Sequence, residues 1–293
     1  MPELPDVTVY VERLAAKVAG HRLDRLRIGH PFLLRTVTPP LSAVEGRVVA
    51  GIERLGKRVV IALEGEIFLV IHLMIAGRLR WLGTGAKATA RNGLAFFEFD
   101  VGTLALTEAG KQRRASLHVV EGRAGLAALD AGGIDLVSAS RATFAERLVA
   151  ENHTVKRALT DPRIFSGIGN AYSDEILHRA RLSPVALTRS LDAATIDRLF
   201  EATRSTLADW TTRLRSEAGD WPDKVTAFHP AMAVHGRFGQ PCPDCGSPVQ
   251  RIVHADSETN YCARCQTAGK VLADRSMSRL LKKSWPKHID ELM

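Results

Sequence analysis

The chain opens on a helical pattern. Val7, Val11, Leu14 and Val18 recur at spacings of four, three and four, which places them on one face of a helix over residues 5–19. Pro5 suits a first helical turn, Asp6 favours the positive end of the helix dipole, and Gly20 supplies a stop. From residue 22 to 120 the pattern changes to strands. Arg58–Leu63, Ile67–Ile71 and Leu94–Phe99 are short apolar runs, and Gly and Pro punctuate the region as in a sandwich or barrel. Residues 121–137, rich in Gly, Ala and Asp, read as a linker. Helices return from Arg141 to Arg213: Phe144, Leu148 and Val149 begin one, and Ile196, Leu199, Phe200 and Leu207 mark another. Residues 214–235 carry weak periodicity and read as an extended loop. There is no internal repeat.

Length and composition narrow the class. A chain of 293 residues suggests two domains, and its 45% hydrophobic and 25% charged content excludes disorder as the default. The net charge of +8 points to a polyanionic partner, nucleic acid first. No apolar run is long enough to span a bilayer, so no membrane partner is expected. No basic segment followed by an apolar one reads as a secretory signal. All four cysteines fall between 242 and 265, leaving none for disulfides elsewhere, which fits a reducing, intracellular compartment.

Those cysteines form two knuckles, Cys242-Pro-Asp-Cys245 and Cys262-Ala-Arg-Cys265. At this spacing they can close a tetrahedral thiolate site around one zinc ion, structural because no position stays open. A second signal is Gly167-Ile-Gly169-Asn170-Ala-Tyr172, glycines leading into an apolar helical pattern, where backbone N–H groups can cradle a phosphate or simply pack a turn. A third is Met1-Pro2-Glu3. Loss of Met1 would leave Pro2 as a secondary amine that condenses with an aldehyde to a cationic iminium, with Glu3 beside it as general acid or base. Taken alone, such a start is most often an ordinary one.

The order of these motifs resembles that of the formamidopyrimidine-DNA glycosylase/endonuclease VIII family of DNA-repair enzymes. The likeness covers nearly the whole length: Pro2-Glu3-Leu4-Pro5, Gly56-Lys57, His72-Leu73 through Gly77, Gly167–Leu177, Val234-His235-Gly236-Arg237, and the cysteine ribbon. It implies an α+β multidomain fold: an N-terminal helix with a β-sandwich over 1–122, a linker at 123–137, a helix–two-turn–helix domain with a lesion-side loop over 138–236, a zinc finger at 237–269, and a basic extension at 270–293. It also implies a monomer that works on the nucleoid and takes damaged DNA, double-stranded or opened into a bubble or single strand, in a cleft between its halves. The damaged nucleotide would be extruded. Pro2 would then displace the base, Glu3 would handle protons, and the strand would break by β- and then δ-elimination. Lys57 is similar to the family's phosphate-contacting lysine, Asn170 to its helix–two-turn–helix asparagine, and Lys156 to its upstream basic residue. Gly167, Gly169 and Tyr172 accompany Asn170 at the DNA, and Glu175 resembles an acid that orients the N-terminal segment.

Several positions depart from the family pattern. Asp6 stands where a longer Glu is usual. The void-filling methionine aligns with Ile75, next to Met74. The second void-filling segment reads Arg113-Arg114-Ala115-Ser116, without its aromatic wedge, and Leu117 is the nearest apolar substitute. Ser257 replaces the zinc-finger arginine, with Arg251 and Arg264 as the candidates to compensate. The missing wedge favours the endonuclease VIII-like branch, with oxidised pyrimidines and abasic sites as substrates. A formamidopyrimidine/8-oxoguanine glycosylase and a non-catalytic damaged-DNA-binding protein remain alternatives. The extension carries Lys270, Arg275, Arg279, Lys282, Lys283 and Lys287 with Trp285, and reads as a solvated tail or an added DNA contact.

Overall fold

A computed structural model describes residues 1–84, 93–109, 112–226, 228–255, 257–281 and 285–292, and so not Lys282 or Lys283 of the extension. The chain forms two compact units, Met1–Ala131 with Trp210–Thr226, and Gly132–Asp209 with Ala227–Met293.

The first unit begins with helix α1 (Leu4–Val18), whose buried face carries Val7, Leu14 and Val18 of the expected stripe together with Leu4 and Tyr10, while Val11 is only partly buried at its edge. Glu3 caps it in an extended conformation, and Gly20, at φ 79°, turns the chain away. Eight strands follow: β1 (Arg22–Ile28), β2 (Arg47–Leu55), β3 (Arg58–Leu63), β4 (Ile67–His72), β5 (Gly77–Leu82), β6 (Gly93–Phe99), β7 (Gly102–Glu108) and β8 (Ser116–Glu121). They are ordered β5-β7-β6-β1-β2-β3-β4-β8, and all pair antiparallel. The β1–β2 pairing is short, Arg22 with Val48 and Leu23 with Arg47. The two halves of the sheet therefore fold over one core, in which Ile61, Leu69 and Ile71 of one half meet Phe97, Leu104 and Leu106 of the other and the face of α1. A sandwich of this kind buries alternate side chains of each strand.

The turns place the chemistry. Leu55 pairs with Arg58, so Gly56 and Lys57 form a two-residue hairpin loop, and Gly56 at φ 60° fills the loop position that favours glycine. The four-residue β4–β5 turn is closed by the Gly77 N–H, which donates to Leu73 O at 2.9 Å, and a Cβ at Gly77 would lie 2.3 Å from that oxygen.

Part of the expected lesion-side loop belongs to this unit. Trp221 is buried in the sandwich core, lies 5.8 Å from the ring of Tyr10, and donates its indole N–H to Leu79 O at 3.1 Å. Arg215 holds Glu12 through two bonds of 2.8 Å, and Arg78 donates to Val225 O at 2.7 Å. The buried indole and these bonds bring Trp210–Thr226 into this unit rather than leave it with the rest of 138–236. The expected linker also has structure, α2 (Gly122–Ala127) and the two-residue strand β9 (Ile134–Asp135).

The second unit contains α3 (Arg141–Val149), α4 (Val155–Thr160), β10 (Phe165–Ser166) parallel to β9, α5 (Asn170–Arg179) and most of α6 (Ala193–Glu217), which extends into residues read as loop. Ser140 caps α3, accepting from Thr143 N–H at 3.1 Å, and Phe144 lies 4.7 Å from the ring of Phe165 and 5.3 Å from that of Phe200. The cysteine region carries the hairpin β11 (Gln250–Val253) and β12 (Glu258–Tyr261), then α7 (Ala263–Thr267) and α8 (Arg275–Leu281).

The extension is not a solvated tail. Its Leu272 and Ile289 join Ile252, Tyr261 and Ala263 in one buried cluster. Ile289 N–H donates to Gly269 O at 2.8 Å, Val271 N–H to Lys287 O at 3.0 Å, and Leu272 N–H to the Tyr261 hydroxyl at 2.7 Å. The extension supplies two of the five residues of this cluster, core that a small ribbon otherwise lacks. Ile289→Ala should therefore destabilise the ribbon by about 2–4 kcal/mol. Hydrogen exchange at the β11–β12 amides should accelerate while exchange in the sandwich stays unchanged; unaltered ribbon protection would return the segment to the status of a tail.

Candidate functional site

In the first unit the site is built on the start of α1. Glu3 is 2% exposed, Asp6 is buried, and the Asp6 carboxylate accepts the Glu3 N–H at 2.8 Å. The shorter acid still makes this contact because it sits at the third position of the helix, one turn from the cap. Burial pushes the Asp6 carboxyl up to about 7, with the nearby Glu3 charge adding to the effect. The amine of residue 1 is pressed below its ordinary value, first by burial; Glu3 and Asp6 pull it back, and Arg78 and Lys57 press it further. Burial likewise lowers Lys57, opposed by Glu3. The amine, Glu3, Asp6, Lys57 and Arg78 thus lie within electrostatic reach of one another. A cavity of about 400 Å³ opens beside them, lined by Asp6, Val9, Ala218, Trp221, Asp223 and Lys224.

His72 completes this end of the sheet. Burial and the charges of Arg58 and Lys57 bring it down to about 4, so it is neutral at physiological pH, and its Nε2 is buried without a hydrogen-bond partner. Sequence reasoning had marked His72 only as part of a motif. The β4–β5 turn carries Met74 at φ 51° and Ile75 at 56% exposure, and Arg78 braces it by donating to Ile75 O and Gly77 O at 3.2 and 2.7 Å. Ile75 is thus the apolar side chain presented to solvent. Leu117 is not available as a wedge: it is fully buried in the sandwich core, and so is Ala115. The missed residue here is Glu108, a buried carboxylate that accepts the N–H groups of Arg114 and Ala115 at 2.9 and 3.1 Å and fixes that turn, leaving Arg114 exposed. An acid ending an apolar strand was its signal.

In the second unit Gly167, at φ 92°, and the extended Gly169 lead into α5, with Asn170 as its first residue. The Asn170 side chain donates to Glu258 O at 2.9 Å. Tyr172 is buried, part of the packed face of α5 and not a surface ring. Lys156 also points inward. Its ammonium donates to Asn170 O at 3.2 Å, Ser173 Oγ at 3.0 Å and the Asp174 carboxylate, whose other oxygen is 2.8 Å from His235 Nδ1. Glu175 accepts three backbone N–H groups, from Ala233 at 2.7 Å, Val234 at 2.9 Å and His235 at 3.0 Å. Its carboxylate ties residues 233–235 to α5.

The four cysteine sulfurs lie within 4.8 Å of one another. Zinc–sulfur bonds of about 2.3 Å in a tetrahedron separate sulfurs by about 3.8 Å. Cys242–Cys265 at 3.9 Å and Cys245–Cys262 at 3.4 Å fit that cage, so the residues suit one structural zinc. Of the candidates to replace the arginine missing at Ser257, Arg264 is paired with Asp290 at 2.8 Å, while Arg251 is exposed over the Phe238 ring at 4.2 Å, with Glu258 at 3.4 Å. Among the described residues, no helix is long and apolar enough to cross a membrane.

Comparison with known proteins follows this layout. Residues 1–119 match the formamidopyrimidine-DNA glycosylase N-terminal domain, 135–213 its H2TH domain, and 239–268 the zinc finger found in FPG and IleRS. A formamidopyrimidine-DNA glycosylase of Thermus thermophilus is 33% identical over 92% of this chain and 100% of its own length. An uncharacterized formamidopyrimidine-DNA glycosylase-like protein of Mycobacterium tuberculosis is 42% identical over 51% of this chain and 94% of its own. The crystal structure of the MutM (Fpg) protein from Thermus thermophilus superposes with a TM-score of 0.77 at 32% identity, covering 90% of this chain and 98% of that one.

The Asp6 carboxyl gives a pH test. Its folded value of about 7 lies above its ordinary 3.8, so between these limits the folded chain holds a proton that the unfolded chain has released. That contribution is present below pH 4 and is lost as pH rises through 7. Asp6→Asn has no proton to lose. Urea unfolding should show the wild type losing stability relative to Asp6→Asn between pH 5 and pH 8; a difference that stays flat would mean that Asp6 titrates as an exposed acid.

Proposed function

The chain belongs to the formamidopyrimidine-DNA glycosylase family of DNA glycosylase/AP lyase enzymes, and from that premise we propose that it excises oxidised bases from DNA with Pro2 as nucleophile. The observation that carries this reading is the pocket around the chain's first residues. An amine there is kept below its ordinary pKa by burial, with Glu3, Asp6, Lys57 and Arg78 around it. Removal of Met1 places the Pro2 amine at the head of α1, where the same burial keeps a larger fraction neutral and nucleophilic. The amine bonds to C1′ as the C1′–N bond to the base breaks, and Glu3 moves protons at the sugar. The sugar ring then opens: the C1′–O4′ bond breaks, O4′ takes up a proton from Glu3, and the iminium left at C1′ acidifies C2′–H. Loss of that proton expels the 3′ phosphate, and a second elimination expels the 5′ phosphate.

The cavity lined by Asp6, Trp221 and Lys224 is the receptacle for the extruded base, where Asp6, titrating near neutrality, can offer a donor or an acceptor. Lys57 and neutral His72 meet the phosphate beside the lesion, and Arg114 meets the backbone. Asn170 contacts the same strand from the start of α5, and Lys156 acts through it, holding its carbonyl and Asp174 rather than a phosphate. Glu175 fixes residues 233–235. Zinc holds the ribbon. The partner is damaged DNA at the chromosome.

The substrate preference follows from the void left by the extruded nucleotide. Ile75, with Met74, is the apolar group available to fill it, and no aromatic wedge stands at Ala115 or Leu117. A small filler offsets less of the unstacking cost, which is lowest where the duplex is already damaged or open. Oxidised pyrimidines and abasic sites should therefore be processed faster than 8-oxoguanine opposite cytosine. The names of the relatives favour the second reading, a formamidopyrimidine/8-oxoguanine glycosylase, and rates on the two lesions at one fixed salt concentration separate them. If 8-oxoguanine opposite cytosine is fastest, the second reading replaces the first.

Borohydride should trap the chain on abasic DNA through Pro2, and a form blocked at its N-terminus should not be trapped; trapping that survives the block would exclude Pro2. Glu3→Gln should slow base excision by about 10²–10⁴-fold while leaving DNA affinity nearly unchanged, because a proton-transfer group acts in the transition state. Excision at the wild-type rate would remove Glu3 from the mechanism. Ile75→Ala should cost roughly tenfold in rate on duplex lesions and little on the same lesions in a bubble; equal losses on both would assign Ile75 to another task.

A further inference from the structure

The ribbon is fastened to α5 at both ends. At the start of the helix, Asn170 donates to Glu258 O. Beyond its end, Gln266 accepts from Cys262 N–H at 2.8 Å and donates to Leu182 O at 3.0 Å. Between these ties stands His178 in the last turn of α5. It is 4% exposed, and its Nε2 lies 3.3 Å from Cys242 Sγ. The competing acceptor, Asp244 Oδ2, is 3.9 Å away, too far for a hydrogen bond.

We propose that His178 is a positioning residue of the zinc centre: its Nε2–H donates to the Cys242 thiolate without coordinating the metal. Four thiolates around a divalent cation leave a net negative charge in a partly buried cage. N–H donors stabilise that charge and fix the direction of the sulfur lone pairs. A backbone donor already serves Cys262, from Cys265 N–H at 3.5 Å. Cys242 is the more buried sulfur of the first knuckle, and it receives its donor from another element, α5. His178 lies eight residues beyond Asn170 on that helix, about 12 Å along its axis. The metal cage and Asn170 therefore share one rigid support. A hydrophobic residue of similar size would fill the space at 178 but leave the sulfur without its donor, so chemistry and not packing selects histidine there. The second group of potential ligands, His178, Asp244 and Cys265, shares its sulfur with the four-cysteine cage. Because four thiolates complete a tetrahedron, His178 remains outside it.

The test uses full-length protein and reads the metal, independently of any glycosylase activity. His178→Phe should bind zinc about 10–100-fold more weakly in chelator competition and shift the thiolate-to-metal charge-transfer band of the cobalt-substituted protein. His178→Gln, which keeps an N–H donor, should recover most of both. In wild-type protein loaded with cadmium-113, the His178 Nε2 proton should show scalar coupling to the metal through the sulfur, a measurement that needs no variant. The proposal is overturned if the coupling is absent, if His178→Phe binds zinc within twofold of wild type with an unshifted band, or if His178→Gln is as impaired as His178→Phe. A wild-type cobalt spectrum with three thiolates and one nitrogen would make His178 a ligand and overturn it equally.

Discussion

One buried hydrogen bond, from the Glu3 N–H to the Asp6 carboxylate, fixes the first turn of α1. Through that turn it holds Glu3 and Asp6, two of the groups of the proposed site, in place. Termini ordinarily fray, since few contacts repay the entropy of ordering them. Here the helix that follows is buried along one face in the sandwich core, so its first turn cannot drift without unpacking Val7 and Tyr10. The acid that makes the bond does so at a cost, because burial drives its carboxyl towards neutrality. The chemistry proposed for the first amine is thereby coupled to the stability of the first unit.

The second unit solves a similar problem with α5. Consecutive acids, Asp174 and Glu175, face inward from a short helix and take different partners. Asp174 joins Lys156 and His235, while Glu175 collects the amides of residues 233–235. Left unpaired, two buried carboxylates would be strongly destabilising. Satisfied in this way, they join α4, α5 and the segment entering the ribbon. Asn170, at the helix start, inherits its position from these ties, and the ribbon inherits its seat from Asn170 and Gln266.

Local periodicity made much of this legible. The stripe of α1, the strands from Arg58 to Phe99 and the cysteine knuckles each declare themselves within a dozen residues, because side-chain spacing reports the face that is buried. What escaped was decided at a distance. Trp221 is a lone aromatic in a featureless stretch, and only the core built by other strands shows where it goes. Leu272 and Ile289 are seventeen positions apart in a basic segment, too sparse for a pattern, yet they meet on Tyr261. Leu117 looked free to act as a wedge until β8 turned it inward. Lys156 read as a surface cation because sequence gives charge but not the carboxylate waiting beside it. For the site, residue types and order were readable, while the roles of Asp174 and His235 as braces were not, since each acts through a partner far along the chain.

The same braces bear on the field the molecule presents. Among the described residues, the fully buried Asp and Glu side chains are Glu3, Asp6, Glu108, Asp174, Glu175 and Asp274, and no Lys or Arg is buried to that degree. The formal charge of +8 counts those acids as though they faced solvent. They do not: Glu108 and Glu175 are matched by backbone N–H groups, Asp174 by Lys156, and Asp274 by Val253 N–H. The acids that order the fold are withdrawn from the surface, and most basic residues remain there, Lys156 and Lys57 being drawn inward. With acids drawn inward and most bases exposed, the positive net charge is displayed at the surface, which favours fast, salt-sensitive association with nucleic acid. The hydrogen bonds that hold the site in place also sharpen the field that brings DNA to it.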